Sequence, residues 1–264
     1  FPINDAANGI RSMPTLDRTR KFFVYVGGFK SYINSNSVKQ IKKSFRQIPN
    51  SYLIIIDHSA YTYSNGLCTT DYDRAVSYVY YIGQRLGIML AELSDRTKIS
   101  PKNIHCVGHS LGGQMLGYVG EIFFDLTGER IARITALDPA NPCFKKYPRT
   151  FQVRSGVADY VEVYHCNNNV LGSPNTIADV DFFVNDGKYQ HGCSYFIKPE
   201  CSHGRCVSVW AQSVAKRNLF LAFQCNNYAM FKAGNRNYDM EIKKNKNDNS
   251  YFFSMAYRNS EFTQ

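Results

Sequence analysis

The sequence has no apolar run long enough to cross a membrane. Its longest uninterrupted stretches, such as Tyr52-Leu-Ile-Ile-Ile56, fall far short of the roughly 20 residues a spanning helix requires, so a soluble protein is expected. No Cys-x-x-Cys pair occurs among the eight cysteines, which fits a disulfide-bearing secreted chain better than a zinc protein. No Asn-x-Ser/Thr sequon is present, so secretion would proceed without N-glycans on this part. The first residue is Phe1 rather than Met, and no charged start followed by an apolar core is present, so a processed or truncated chain is expected. No Gly-x-Gly-x-x-Gly is completed and no Gly-Lys-Ser/Thr follows a glycine-rich turn, which argues against a phosphate-cradling loop. No cofactor and no metal are expected. Repeats, low-complexity blocks and linkers are also missing. With 264 residues and 44% apolar content, residues 1–264 are expected to form a single domain around one large core.

What the chain does have is positive charge. A formal net charge of +10 could favour anionic lipid surfaces, an acidic partner or nucleic acid. Lys and Arg are scattered, however, and no nucleic-acid module accompanies them. The densest run, Lys243-Lys-Asn-Lys-Asn-Asp-Asn249, reads as a solvated hairpin tip. No nucleic-acid partner is expected.

Hydrophobic patterning alternates strands with helices. Lys21 to Val26 reads as a strand delivering the flexible loop Gly27-Gly28-Phe29, which can present backbone N–H groups. Val38, Ile41, Phe45 and Ile48 form the face of a helix that stops before Pro49. Tyr52 to Ile56 is a buried strand. Val79, Ile82, Leu86, Leu90 and Leu93 mark one face of a long helix. Lys102 to Val107, Ile131 to Leu137 and Tyr160 to His165 are further strands, and Gly128 ends the helix that starts at Leu111. Helix-separated strands imply right-handed crossovers and a largely parallel α/β sheet, with chemistry in loops at the strands' carboxyl ends. Past Asp181 the pattern reads as loop-rich, with a short helix around Val207, Trp210 and Val214. Tyr238 to Ile242 and Tyr251 to Tyr257 read as an antiparallel hairpin at one sheet edge.

The centre of this arrangement is Gly108-His109-Ser110-Leu111-Gly112, between a strand and a helix. Gly-x-Ser-x-Gly in that context suits a nucleophile, because the turn exposes the serine Oγ and the glycines let strand and helix crowd together. Ser110 is the candidate nucleophile. A serine hydroxyl needs an imidazole to take its proton and a carboxylate to orient that imidazole. Of six histidines, His109 neighbours the nucleophile and is expected to point elsewhere. His58 and His105 precede Ser110, against the Ser, acid, His order of α/β hydrolases. His165 reads as a packed residue at a strand end, and His191 as part of the approach to a cysteine-bounded loop. His203 is preferred, since covalent closure around Cys201 and Cys206 would fix a late loop beside the nucleophile. Cys201-Ser-His-Gly-Arg-Cys206 lacks the second ligand pair zinc would need. Asp138 ends the strand after the nucleophile helix and is the leading acid, with Asp179 and Asp181 as alternatives.

Together Tyr25-Val-Gly-Gly-Phe29, Ile56-Asp-His-Ser59, Gly108-His-Ser-Leu-Gly-Gly113, Ile134-Thr-Ala-Leu-Asp-Pro-Ala140, Asp179-Val-Asp-Phe-Phe183 and Cys201-Ser-His203 resemble the pancreatic lipase family. That family also contains phospholipases A1 and insect yolk proteins derived from lipases. The resemblance implies an α/β-hydrolase fold with helices on both faces of the sheet. It also implies a triad of Ser110, Asp138 and His203, and an oxyanion hole from the N–H groups of Phe29 and Leu111. Cys193 and Cys201 would close a short lid containing Tyr195, Phe196 and Ile197, three apolar side chains suited to a lipid surface.

Three departures from the family pattern matter. Gly27-Gly28-Phe29 replaces the usual His-Gly-Phe, removing a side chain that would help hold the oxyanion loop, so slower turnover is expected. The 264 residues leave no room for the family's carboxyl-terminal β-sandwich, so neither that domain nor colipase as a partner is expected. The short lid resembles that of phospholipase A1 members. The function implied is a secreted hydrolase of lipid esters, phospholipid before triacylglycerol, with peripheral membrane or lipoprotein contact. The competing expectation is a lipase-derived storage protein of yolk type. Among the remaining cysteines, Cys206 with Cys225 is the expected pair, because they bracket one short segment, and Cys106 is expected to be a free core thiol.

Overall fold

The computed structural model describes residues 1–63, 69–144, 152–193, 198–216, 220, 222–225 and 250–253. Among these, eight strands form one sheet: β1 (Lys21–Val26), β2 (Ser51–Ile56), β3 (Ile104–His109), β4 (Arg133–Leu137), β5 (Val161–His165), β6 (Val180–Val184), β7 (Ala222–Cys225) and β8 (Ser250–Phe253). Their order is β2-β1-β3-β4-β5-β6-β8-β7. Every neighbouring pair is parallel except β7 with β8.

Side chains alternate across each strand, so a parallel sheet needs cover on both faces. Phe22, Val24 and Val26 of β1 face one core, built with Leu86, Leu90, Met115 and Val119. These come from α4 (Thr69–Thr97) and α5 (Leu111–Thr127), with α1 (Ala6–Arg11) packed on α4. Tyr25 of β1 and Val107 of β3 face the other core with Ile41 and Trp210, from α2 (Asn36–Phe45) and α6 (Pro199–Ala215). The stripe Val79, Ile82, Leu86, Leu90 and Leu93 is buried along α4, as its spacing required. A single turn, α3 (Ser59–Thr62), follows β2. Helix α5 ends at Gly128, whose φ of 70° is the left-handed conformation that closes the last turn.

Among the described residues, the stretch from Val180 onward carries more regular structure than its composition suggests. Val180–Val184 is an inner strand, buried along its length, and its Asp181 is accommodated because His165 of β5 meets it at 2.8 Å. The helix around Trp210 begins at Pro199, so Cys201 and His203 belong to α6 and not to a loop. Proline suits that position because the first turn of a helix has no partner for an N–H there. Strand β8 does lie in an antiparallel pair, but with Ala222–Cys225. Tyr238 to Ile242 lies outside the described residues.

Among the described residues, two disulfides form. Cys193 is bonded to Cys201, as the resemblance implied. Cys206 is bonded to Cys166 and not to Cys225. Packing α6 against the end of β5 brings the Cα atoms of Cys166 and Cys206 to 5.8 Å, within the span a disulfide closes. Sequence spacing carries no information about that non-local approach. Cys106 is a free thiol buried in β3, where desolvation pushes its pKa up to about 12.

Candidate active site

Strand β3 turns directly into α5 at Ser110, whose φ of 57° and ψ of −120° place it outside the comfortable regions for a residue with a side chain. Such conformations cost on the order of 1–3 kcal/mol and persist only where surrounding contacts enforce them. Here Ser110 N donates to Leu137 O at 3.1 Å, while Ser110 O accepts from Ala140 N at 3.1 Å. The turn is possible only because its flanks are bare. A Cβ on Gly108 would lie 2.7 Å from Gly113 N, and one on Gly112 would run into the Val26 and Gly27 carbonyls.

Asp138 terminates β4, the strand beside β3, and is fully buried. Its Oδ1 accepts from the backbone N–H groups of Cys166 at 2.8 Å and Asn167 at 3.2 Å. Its Oδ2 accepts from His203 Nδ1 at 2.6 Å. The carboxylate thus has three donors and one geometry. Because His203 Nδ1 donates, the neutral ring must keep Nε2 unprotonated and able to accept a proton. Helix α6 is anchored to the end of β5 by the disulfide from Cys206 to Cys166, whose own N–H is one of the Asp138 donors.

The other candidates separate cleanly. Asp179 is bound to the Ser155 hydroxyl and to Val161 N, and Asp181 to His165, so neither reserve acid reaches His203. His165 is buried and stacks on Phe183 at 4.4 Å. His105 bonds Thr135 at 2.7 Å within the sheet. His191 is exposed. His109 differs from its expectation: it does not point away. Its ring lies 4.5 Å from that of His203, its Nε2 donates to His203 O at 3.2 Å, and it lines the same cavity. The sharp backbone turn at Ser110 breaks strand alternation, so two consecutive side chains reach one cavity. Burial and the neighbouring His203 depress the His109 pKa to about 3, so the ring is neutral at physiological pH.

That cavity, of about 410 Å³, is lined by Ser110 and His203 together with Gly28, Phe29, Tyr72 and Leu171 among others. A Cβ at Gly28 would lie 2.7 Å from Ser110 Cβ, so the loop after β1 rests directly on the serine. Phe29 is held edge-on by Tyr72 at 5.3 Å. Leu111 is the first residue of α5, where backbone N–H groups have no intrahelical partner and the helix dipole favours negative charge. Tyr195, Phe196 and Ile197 lie outside the described residues. Among the described residues, no three His, Cys, Asp or Glu are grouped to hold a metal ion, and no helix is long and apolar enough to cross a membrane.

A serine on a strained turn and an acid-bound imidazole lining the same cavity constitute a hydrolase-like arrangement, and comparison with known proteins gives it a family. The lipase family model matches residues 5–248. The chain belongs to the lipase family. It is similar to a phospholipase A1 of Vespa velutina, 31% identical over 215 residues, covering 78% of this chain and 68% of that one. A phospholipase A1 of Vespula vulgaris is 31% identical over 205 residues, 74% and 59% of the two chains. Pancreatic triacylglycerol lipase of Oryctolagus cuniculus is 28% identical over 239 residues, 82% and 49% of the two. The matched stretch therefore spans about half to two thirds of these relatives. Among solved structures, the ferulic-acid-bound Est1E of Butyrivibrio proteoclasticus aligns with a TM-score of 0.43 at 12% identity, over 78% of this chain and 94% of that one. This lipase-family chain has the α/β-hydrolase fold, with helices on both faces of a largely parallel sheet and a disulfide between Cys193 and Cys201.

Proposed function

We propose that the chain is a secreted carboxylic ester hydrolase that cleaves lipid esters through Ser110, His203 and Asp138. The observation that carries this reading is the 2.6 Å bond from His203 Nδ1 to Asp138, which leaves Nε2 as the base in a cavity shared with Ser110. Ser110 Oγ attacks the acyl carbonyl carbon while His203 Nε2 takes its proton. The oxyanion that forms is stabilised by the N–H groups of Phe29 and Leu111. The imidazolium, held by Asp138, returns the proton to the leaving alcohol, and water releases the acyl group by the same steps in reverse order.

Phospholipid is preferred to triacylglycerol in this reading. The segment closed by Cys193 and Cys201 is short, with a separation of 8, and two of the relatives described above are named phospholipase A1. Secretion is supported by the two disulfides, which persist in oxidising compartments. Substrate would be met at a lipid interface, through peripheral membrane or lipoprotein contact. The storage alternative has only Gly27 in its favour, and a chain released from catalysis has no physical need to keep Asp138 bonded to His203. Fatty-acid release from phospholipid micelles and from triacylglycerol emulsions, for the wild type and Ser110→Ala, tests the proposal. Faster release from phospholipid, abolished in the variant, is expected. Purified protein inert on both substrates that co-purifies with lipid would favour storage.

A further inference from the structure

The loop Gly27-Gly28-Phe29 has no side chains at residues 27 and 28 to brace it, yet it sits against Ser110. Two features of this chain account for that. A Cβ on Gly27 would run into the Ser31 hydroxyl, so Ser31 occupies the space a larger residue would need. Ser31 N also donates to Gly28 O at 3.1 Å, closing a turn over residues 28–31. From the other side comes His58, which follows β2 and is only 3% exposed. Its Nε2 lies 2.9 Å from Gly27 O, and its Nδ1 lies 2.7 Å from the Thr62 hydroxyl.

The partners fix the tautomer. A carbonyl can only accept, so His58 Nε2 carries the proton and donates to Gly27. Nδ1 then accepts from Thr62 Oγ1, which is itself buried. Desolvation holds the His58 pKa below its ordinary value, so this neutral, donating form is the one present at physiological pH. Thr62 also accepts the N–H of Lys30 through its carbonyl at 3.5 Å, tying the segment after β2 to the far end of the same loop.

We infer that His58 is a positioning residue for the oxyanion hole, holding the Gly27 carbonyl so that the loop presents Phe29 N–H toward the carbonyl oxygen of a substrate on Ser110. With Gly27 O held by His58 and Gly28 O held by Ser31, both peptide planes preceding Phe29 N are oriented. The imidazole that braces residue 27 thus comes from the segment between β2 and α3. This role rests on the hydrolase reading above, since it acts on a charge that develops only during acyl transfer.

Three variants of the full chain separate positioning from mere packing. His58→Gln can place an amide N–H where Nε2 stands; His58→Asn is too short to reach, and His58→Ala removes the donor outright. With a short soluble ester, we expect His58→Asn and His58→Ala to lower kcat about 10- to 100-fold at nearly unchanged KM. His58→Gln should remain within about threefold of wild type. Hydrogen exchange of peptides covering residues 26–31 should rise in the Asn variant and stay protected in the Gln variant. An Asn variant with wild-type kcat, or faster exchange without loss of kcat, would overturn the inference. So would Gln and Asn variants impaired alike. If Ala fails to fold, the Gln and Asn pair still decides. A wild-type protein inert toward esters, with the loop protected, would instead remove the hydrolase reading and the inference with it.

Discussion

Replacing Asp138 with Asn should nearly abolish turnover while leaving the fold intact, and the hydrogen bonds around the carboxylate say why. Oδ1 accepts two backbone N–H groups and Oδ2 accepts His203 Nδ1. An Asn side chain must decide which end carries the oxygen. Turning its NH2 toward Cys166 N and Asn167 N would set donors against two donors, so the amide oxygen stays there. The NH2 then faces His203 Nδ1 and donates to it. His203 is forced into the other tautomer, with its proton on Nε2, where it can no longer accept one from Ser110. By analogy with the serine-protease triad, a wrong tautomer costs about 10,000-fold in kcat, equivalent to about 5.5 kcal/mol of barrier. Because both backbone donors keep their acceptor, thermal unfolding should move by only a few degrees. Steady-state hydrolysis of a short soluble ester and a melting curve suffice as assays. An Asp138→Asn protein that keeps its melting temperature and retains more than a tenth of wild-type kcat would refute the tautomer argument.

Asp181→Asn should behave oppositely, sparing turnover but costing about 3 kcal/mol in urea unfolding, because it strips a buried histidine of its charged partner. Burial opposes charge on His165, but the Asp181 hydrogen bond and charge outweigh it and raise its pKa above 6.5. The pair's contribution is therefore complete below about pH 6.5 and is lost as pH rises through the raised value, a dependence the Asn variant should lack. Non-reducing peptide maps should link Cys166 to Cys206. Replacing both with Ser should cost about 4 kcal/mol from the loop-entropy relation for a separation of 40, whereas a Cys206–Cys225 peptide would contradict the structure. Changing Tyr195, Phe196 and Ile197 to Ser should weaken vesicle binding and micellar turnover with little effect on soluble esters. Lost stability with unchanged vesicle binding would refute an interfacial role for the lid.

The legible parts of the fold were those governed by local pattern. The apolar run before Ser110, the glycines around it and the stripe along α4 obey strand and helix periods directly, and Asp138 followed from its place at the end of the next strand. Non-local features were harder to read. The pattern reads as loop-rich past Asp181, yet Val180–Val184 is a strand, and the pairing with His165 makes the Asp181 carboxylate tolerable inside it. His203 reads as a loop residue in the sequence because α6 starts at Pro199 and its first turn, Pro199-Glu-Cys-Ser202, carries no apolar periodicity. Adjacency to the nucleophile is a poor guide for His109, because the turn at Ser110 ends the alternation of β3 and both side chains reach one cavity. His58 precedes Ser110 in the chain, and the order rule for catalytic bases says nothing about its bond to the Gly27 carbonyl.

The central claim, that His203 activates Ser110 as a nucleophile, is tested most directly with a fluorophosphonate probe. Serine Oγ would displace fluoride at phosphorus, forming a stable Ser–O–P bond only where a base removes its proton. Intact-mass analysis should show one adduct on the native protein, mapped to the peptide containing Ser110. The adduct should be absent in Ser110→Ala and formed far more slowly in His203→Ala. A folded wild-type protein that takes no label, or labels equally fast without His203, would contradict the account.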